Sequence, residues 1–179
     1  MGTQGYKSNN LSDEVKHSNL ENLTRLLIER NPRYVHYFEL HSGAGRYREN
    51  GRRELRDGSA IRVLNMLRSE ILVHEAFLHE KDPKLRARLK RNIRPYVENN
   101  NISVFGDWRD EIEEHLTLTN YESIYVLDPT HLSAYDEEDG LLVWLGPIIE
   151  NSSAVFMYAP QNINPSFPKK KRHARTINM

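Results

Sequence analysis

Five short apolar runs, separated by amphipathic stretches and each ending at a polar or small residue, constrain this chain more than any other feature of its sequence. They read as strands over Tyr34–Leu40, Leu72–Leu78, Ile102–Phe105, Ser123–Leu127 and Ala154–Tyr158. Helical spacing fills the gaps: Ser59–Arg68, a stretch from Pro83 through Leu85, Leu89 and Ile93, then Asp110–Leu118 and Glu138–Ile149, which is helical at least until Gly146-Pro147. One more helix, Asp13–Arg30, precedes the first strand; Ser12 or Asp13 would cap it, Val15, Leu20, Leu23, Leu26 and Leu27 form its apolar positions, and Asn31-Pro32 stops it. Strand and helix in alternation predict right-handed crossovers and a doubly wound, mostly parallel sheet of about five strands, covered on both faces. In such a sheet a ligand binds beyond the carboxyl ends of the strands, where strand order reverses. Glu39, Glu80, Asp107, Asp128 and Ala159 stand at those ends.

Composition narrows the class. At 179 residues the chain has the size of one domain, and 25 basic residues balance 25 acidic ones. With 38% hydrophobic residues and no apolar run long enough to span a membrane, it reads as soluble and globular. The absence of cysteine excludes disulfides, thiolate metal sites and a Cys nucleophile. Together with an N-terminus that lacks the apolar core of a signal peptide, it points to the cytoplasm. Residues 1–12 are expected to be a flexible lead, 13–160 the folded domain, and 161–179, which contain the basic run PKKKRHAR, a flexible tail.

The first strand runs into a glycine loop in Phe38–Tyr47, FELHSGAGRY. Gly43 and Gly45 permit a tight turn with positive φ and let backbone N–H groups approach a nucleotide-like ligand without an intervening Cβ. Glu39 beside the loop could face a cationic amine or bond loop N–H groups. An acid after the second strand suits ribose hydroxyls; Glu80 is the candidate, with Asp82 open. Asp107 could accept from an adenine amino group, or cap the helix that follows. After the fourth strand comes Asp128-Pro129-Thr130-His131, where the Pro stiffens a turn that could aim carbonyls at a planar amino group and His131 could act as a base or phosphate contact. His17, His41 and His79 lack metal-binding spacing, so no metal site is expected. Arg46, Arg48, Arg52, Arg53 and Arg56, in a segment read as a loop, could hold the phosphates of a nucleic acid.

These features resemble class I S-adenosylmethionine-dependent methyltransferases, whose fold is Rossmann-like. Glu39, Gly43 and Gly45 look like their first motif, Glu80 like the ribose-binding acid, Asp107 like the adenine contact, and Asp128-Pro129 like the start of the catalytic motif. More narrowly, Lys16-His17 on a helix before YFELHSGAGRY, followed by SAIRVLNMLR and FLHEKD, is similar to the bacterial 23S ribosomal RNA adenine-N6 methyltransferases. The three-Cys-motif partner proteins share the Lys-His helix, the Gly loop, a helix start like Gly58-Ser59 and an acid like Glu80. The resemblance covers about residues 13 to 160. It implies S-adenosylmethionine as cofactor, held by Lys16, His17, Glu39, His41, Ser42, Gly43, Gly45, Glu80 and Asp107. It further implies catalysis at Asp128, Pro129 and His131, and an RNA or DNA substrate.

Two departures stand out. Amino methyltransferases carry Asp-Pro-Pro-Tyr or a close variant where this chain has Asp-Pro-Thr-His, which removes the aromatic residue that stacks on a flipped base unless Tyr135 substitutes. The sheet is also expected to be shortened at its C-terminal side, which leaves the fifth strand as an edge open to a homodimer or a partner protein. The readings weighed are therefore a methyltransferase acting on a base amino group, adenine N6 first; a shortened methyltransferase-like protein that binds cofactor, nucleic acid or a protein without turnover; and an NAD-type dinucleotide binder.

Overall fold

A computed structural model describes residues 10–30, 35–48, 54–69, 75–97, 101–118, 122–128 and 141–157. The first helix, α1, spans Asn10–Arg30 and leads into β1, Val35–Glu39. Two short strands, β2 at Arg46–Arg48 and β3 at Leu55–Asp57, precede α2 at Ser59–Ser69. Then come β4 (Glu75–His79), α3 (Pro83–Val97) and β5 (Asn101–Phe105). A 3-10 turn at Trp108–Asp110, α4 at Ile112–Leu116, β6 at Glu122–Leu127, α5 at Leu141–Glu150 and β7 at Ala154–Met157 complete the order.

The main sheet has five strands in the order β5-β4-β1-β6-β7, and every neighbouring pair is parallel. From β1 the chain moves outward through β4 to β5, then returns to the other side of β1 for β6 and β7. Strand order therefore reverses between β1 and β6, and the Rossmann-like α/β class read from the sequence is the class found. Period-two alternation explains the layering. Val35, Tyr37, Ala76, Leu78, Ile124 and Val126 pack with residues of α1, α2 and α3 in one core, while Phe38, Tyr125, Leu127, Trp108, Ile112 and Ile148 build the other.

Three sequence readings need correction. The arginine segment is not simply a loop: β2 and β3 pair antiparallel, with Arg46 opposite Asp57 and Arg48 opposite Leu55. Arg52 and Arg53 lie outside the described residues. The apolar stripe of α1 is also different, since Val15 and Leu26 are exposed, at 53% and 62%. Its buried face is His17, Leu20, Thr24, Leu27 and Ile28, a three-four spacing in which a polar His and Thr take core positions. Thr24 turns its hydroxyl back onto the Leu20 carbonyl at 2.9 Å, which satisfies it inside the core. The helix opens at Asn10, so Ser12 and Asp13 lie within it, and α5 runs through Gly146-Pro147 to Glu150. Among the described residues, β7 pairs on one side alone and no helix is long and apolar enough to cross a membrane.

The second core is an aromatic ladder set by register. Phe38 lies opposite Tyr125 on one side and Phe77 on the other, and its ring stacks on both, with centroids 4.4 and 4.7 Å apart. Such pairs contribute ~0.5–1.5 kcal/mol each beyond burial. Histidines close the ladder's end, with His115 of α4 5.0 Å from His79 and 4.8 Å from Phe77. Both ring nitrogens of His79 are buried without a hydrogen-bond partner. Burial, aided by the neighbouring His115, holds His79 down to about 3, and burial holds His115 down to about 4. Each imidazole is neutral in the folded state and protonated below its ordinary 6.5 when unfolded, so their stabilisation is complete above that value and lost as pH falls toward 4. Urea unfolding at pH 7 and pH 5 should show a marked loss of stability in the wild type. His79→Leu should flatten that dependence by about one proton, ~1.4 kcal/mol per pH unit; parallel dependences would refute the assignment.

Candidate functional site

The carboxyl ends of β1 and β6 lie side by side at the point of reversal, with Glu39 paired to Val126 in register and Leu40 N–H donating to the Val126 carbonyl at 3.1 Å. One residue beyond β6 stands Asp128, and α1 places Lys16 over it. The Lys16 ammonium donates to the Asp128 carboxylate at 2.5 Å, with the two side chains 11% and 24% exposed. A charge-assisted contact spanning 112 residues of sequence thus holds the N-terminal helix onto the end of the sheet.

Beneath this pair Glu39 is completely buried. Two side-chain hydroxyls meet it there. Tyr37 donates its hydroxyl to Glu39 Oε2 at 2.7 Å, and Ser59, at the start of α2, donates to Oε1. Burial pushes the Glu39 carboxyl up to about 7, with Asp128 acting in the same sense, while the two hydroxyls and Lys16 oppose the shift. Tyr37 is raised well above its ordinary value by the same burial and by Glu39.

The glycine loop then bends away from β1. Gly43 and Gly45 both take positive φ, 58° and 72°. At Gly45 an added Cβ would stand 2.9 Å from Leu89 Cδ1, so close packing on α3 as well as backbone conformation requires glycine there. At Gly43 nothing lies within 4 Å of that position, so positive φ rather than crowding favours glycine there. Ser42 ties the loop down: its N–H donates to the His79 carbonyl at 2.8 Å and its hydroxyl to the Glu39 carbonyl at 3.1 Å.

Glu80 follows β4 and is half-buried beside the loop. Its Oε1 accepts the Asp82 N–H at 2.8 Å, and the Gly43 N–H also bonds its carboxylate. Burial raises its pKa against those two bonds. Asp82, the alternative in the sequence reading, is used otherwise: its Oδ1 accepts from the N–H groups of Lys84 and Leu85 at 2.7 and 3.1 Å, as the N-cap of α3 ahead of Pro83. Asp107 caps the 3-10 turn by accepting the Arg109 N–H at 3.3 Å, and it also meets Lys81 at 3.4 Å. Next to it, His41 turns edge-on toward Trp108, centroids 6.4 Å apart.

Two histidines of the site, buried His17 and half-buried His41, have a buried Nδ1 without a hydrogen-bond partner. Burial lowers both to about 4; Lys16 and Arg62 add to the effect at His17, Arg109 at His41, where Asp107 opposes it. Both are neutral near pH 7 and can offer a ring nitrogen to a ligand.

The structure therefore gathers Lys16, His17, Glu39, His41, Ser42, Gly43, Gly45, Glu80, Asp107 and Asp128 around the ends of four adjacent strands. Two of the arginines that follow the loop are engaged within the chain. Arg46 is paired with Asp57 at 2.8 Å, and Arg56 with Glu14 of α1 at 2.7 Å. Pro129 and His131 lie outside the described residues. Sequence reasoning missed Tyr37 and Ser59, which hold Glu39, and Trp108 beside Asp107. A Tyr two residues before a strand-end acid, on the same face of the strand, was the available signal for the first. Among the described residues no group of three or more His, Asp or Glu is arranged to hold a metal ion.

No family model and no curated protein matches the sequence. Among solved structures, the chain is similar to protein LPL1258 from Legionella pneumophila str. Philadelphia 1, of family-model DUF519, with a TM-score of 0.65 and 17% identity over 83% of this chain and 68% of that one. A second neighbour, the DszA carbon methyltransferase, has a TM-score of 0.40 and 16% identity over 68% of this chain and 30% of that protein, too slight a likeness to carry weight. The first likeness shows the fold.

The buried Glu39 network makes its own test. Because the folded state holds a proton on Glu39 between its ordinary 4.5 and about 7, this group's contribution to stability falls as pH rises across that window. In urea unfolding, Glu39→Gln should therefore gain on the wild type from pH 5 to pH 8. Glu39→Leu should lose about 2 kcal/mol or more throughout, since the Tyr37 and Ser59 hydroxyls are left without their acceptor.

Proposed function

We propose that this chain is an S-adenosylmethionine-dependent methyltransferase acting on a nucleic-acid base amino group, adenine N6 first. The observation that carries the reading is the convergence of an open glycine bend, a half-buried acid and a Lys–Asp pair at the one place where strand order reverses. The residues present fit the cofactor. The space beside the Gly43 Cα is open, Glu80 is held with its carboxylate toward that bend, and His17 and His41 carry buried, unpartnered Nδ1 atoms close by.

In this reading Glu80 accepts the ribose hydroxyls, and Asp107 the adenine amino group. His17, His41, Ser42, Gly43 and Gly45 line the remainder, with Glu39 fixing the loop from beneath. When bound, the cofactor supplies an electrophilic methyl group. Asp128, with the Pro129 carbonyl, accepts hydrogen bonds from the target amino group and so directs the nitrogen lone pair at the reacting carbon. The methylated nitrogen then sheds one proton, to His131 or to water. Lys16 keeps the Asp128 carboxylate oriented until the amino group arrives.

The second reading, a methyltransferase-like binding protein without turnover, is favoured by one observation: the Asp128 carboxylate is already engaged by Lys16. Calorimetry and labelled methyl transfer separate the two. Titration should give heat with S-adenosylmethionine and none with NAD, and Glu80→Ala should weaken binding about 10–100-fold. Transfer of label to ribosomal RNA, tRNA or DNA should drop at least about 100-fold in Asp128→Ala, far more than its affinity for the cofactor falls. Binding without transfer in the wild type would establish the second reading; no heat with S-adenosylmethionine would dismiss the first.

A further inference from the structure

The chain is formally neutral, yet α3, PKLRARLKRNIRPYV, carries Lys84, Arg86, Arg88, Lys90, Arg91 and Arg94 and no acid in 15 residues. Helix stability does not explain this. Lys84–Arg88, Arg86–Lys90 and Lys90–Arg94 are like charges at i,i+4, each unfavourable by ~0.2–0.5 kcal/mol. Cations near the N-terminus also oppose the helix dipole. Nor does internal pairing explain it. Arg86 has a structural role, donating to the Glu80 carbonyl at 3.1 Å and crossing Gly106, where a Cβ would meet its Nη1 at 3.1 Å. Lys84, Arg88, Lys90, Arg91 and Arg94 are exposed and, among the described residues, form no ion pair.

The β2-β3 hairpin adds to this face. Asn92 donates its amide to the Ala44 carbonyl at 2.8 Å and so ties α3 to the glycine loop. A shallow cleft of about 260 Å³ lies between the two elements, lined by Arg46, Arg88 and Arg91 together with Ala44, Leu55 and Asn92. Arg46 is fixed there by Asp57. From Lys84 to Arg94 the cations extend over about 15 Å of helix at 1.5 Å per residue. Leu89, Ile93 and Tyr96 are buried. Leu55 at the rim and Val97 at the far end of α3 are exposed but stand apart, so among the described residues this face offers no apolar row for a lipid surface or a peptide. It also offers no aromatic ring on which the bases of a single strand would stack.

We propose that α3 and the β2-β3 hairpin form a docking surface for the phosphate backbone of a double-stranded nucleic acid, with Arg46, Arg88 and Arg91 as its centre. Four of the six cations of α3 are arginines, whose planar fork suits phosphate oxygens, and backbone contacts of this kind position a duplex without reading its sequence. The surface deepens the methyltransferase reading, because it would present the substrate from the side of the glycine loop. It does not depend on turnover.

The test is fluorescence anisotropy of a labelled 20-base-pair RNA duplex, the matching DNA duplex, one RNA strand alone and polyglutamate, each over a salt series. The wild type should bind at least one duplex more tightly than the single strand, with affinity falling steeply in salt. RNA against DNA identifies the source of the backbone. Arg88→Glu/Arg91→Glu should weaken duplex binding at least about tenfold and reduce the salt slope by about 2. Arg88→Gln/Arg91→Gln, which avoids the new negative charges, should show a smaller loss in the same direction, and Arg25→Glu on α1 should bind as the wild type does. Tighter binding of polyglutamate or of the single strand, or an unchanged slope in both double variants, would overturn the proposal. S-adenosylmethionine titrations of the same preparations keep the two claims apart. Normal cofactor heat in a variant that has lost the duplex supports the surface, whereas absent heat in a wild type that binds the duplex removes the reaction and leaves the surface standing.

Discussion

A carboxyl group sealed at the end of the central strand is the constraint on which the site depends. Glu39 lies where β1 has a parallel neighbour on either side, completely buried. Burying an unpartnered carboxylate would cost several kcal/mol, so the chain must bring donors to it. Tyr37, on the same face of the strand, and Ser59, at the start of α2, supply them. That requirement draws the first turn of α2 against β1. It also forces the chain between them into the compact excursion of the glycine loop and hairpin, where the Gly58 N–H donates to the Gly45 carbonyl at 2.8 Å. The bend that exposes Gly43 is one consequence.

The contact between Lys16 and Asp128 is the second tie across the same end. It makes α1 part of the site rather than a lead into the fold, since His17, the next residue, is thereby buried with its ring 6.1 Å from Tyr47. Glu14, one turn earlier, accepts from Arg56 and Arg62 at 2.7 and 3.0 Å; burial pushes its carboxyl up, and the two guanidinium groups together outweigh it and hold the carboxyl below the ordinary range. The helix is therefore fastened by charge at its outer face and by Leu20, Leu27 and Ile28 at its inner one. Charge contacts at part-exposed positions contribute little singly, but this chain of them fixes the angle at which Lys16 reaches the sheet.

The sheet strands were legible because each is an apolar run bounded by turn residues, and their polar ends marked one rim of the sheet without knowledge of strand order. Pro83 marked the start of α3, with Asp82 ahead of it as cap. The hairpin was not legible. Arg-Tyr-Arg and Leu-Arg-Asp carry no apolar alternation, and what pairs them is a cross-strand Arg46–Asp57 contact and a glycine-to-glycine backbone bond. The stripe of α1 was misread because His17 and Thr24 are polar by type yet take core positions. Glu39 was placed correctly at a strand end, but its partner Ser59 lies 20 residues away, and no local pattern records a contact of that kind. The basic face of α3 was present in the sequence as a helix without acids, but its neighbour, the hairpin, was not.

The central claim is that the glycine bend, Glu80 and the end of β5 form one ligand site. Amide NMR during titration with S-adenosylhomocysteine tests it most directly, because each backbone N–H reports its own surroundings. Saturable shifts concentrated at Ser42, Gly43, Glu80 and Asp107, with the amides of α5 and β7 unmoved, are the expected result. Shifts confined to other parts of the fold, or none at saturating ligand, would contradict it.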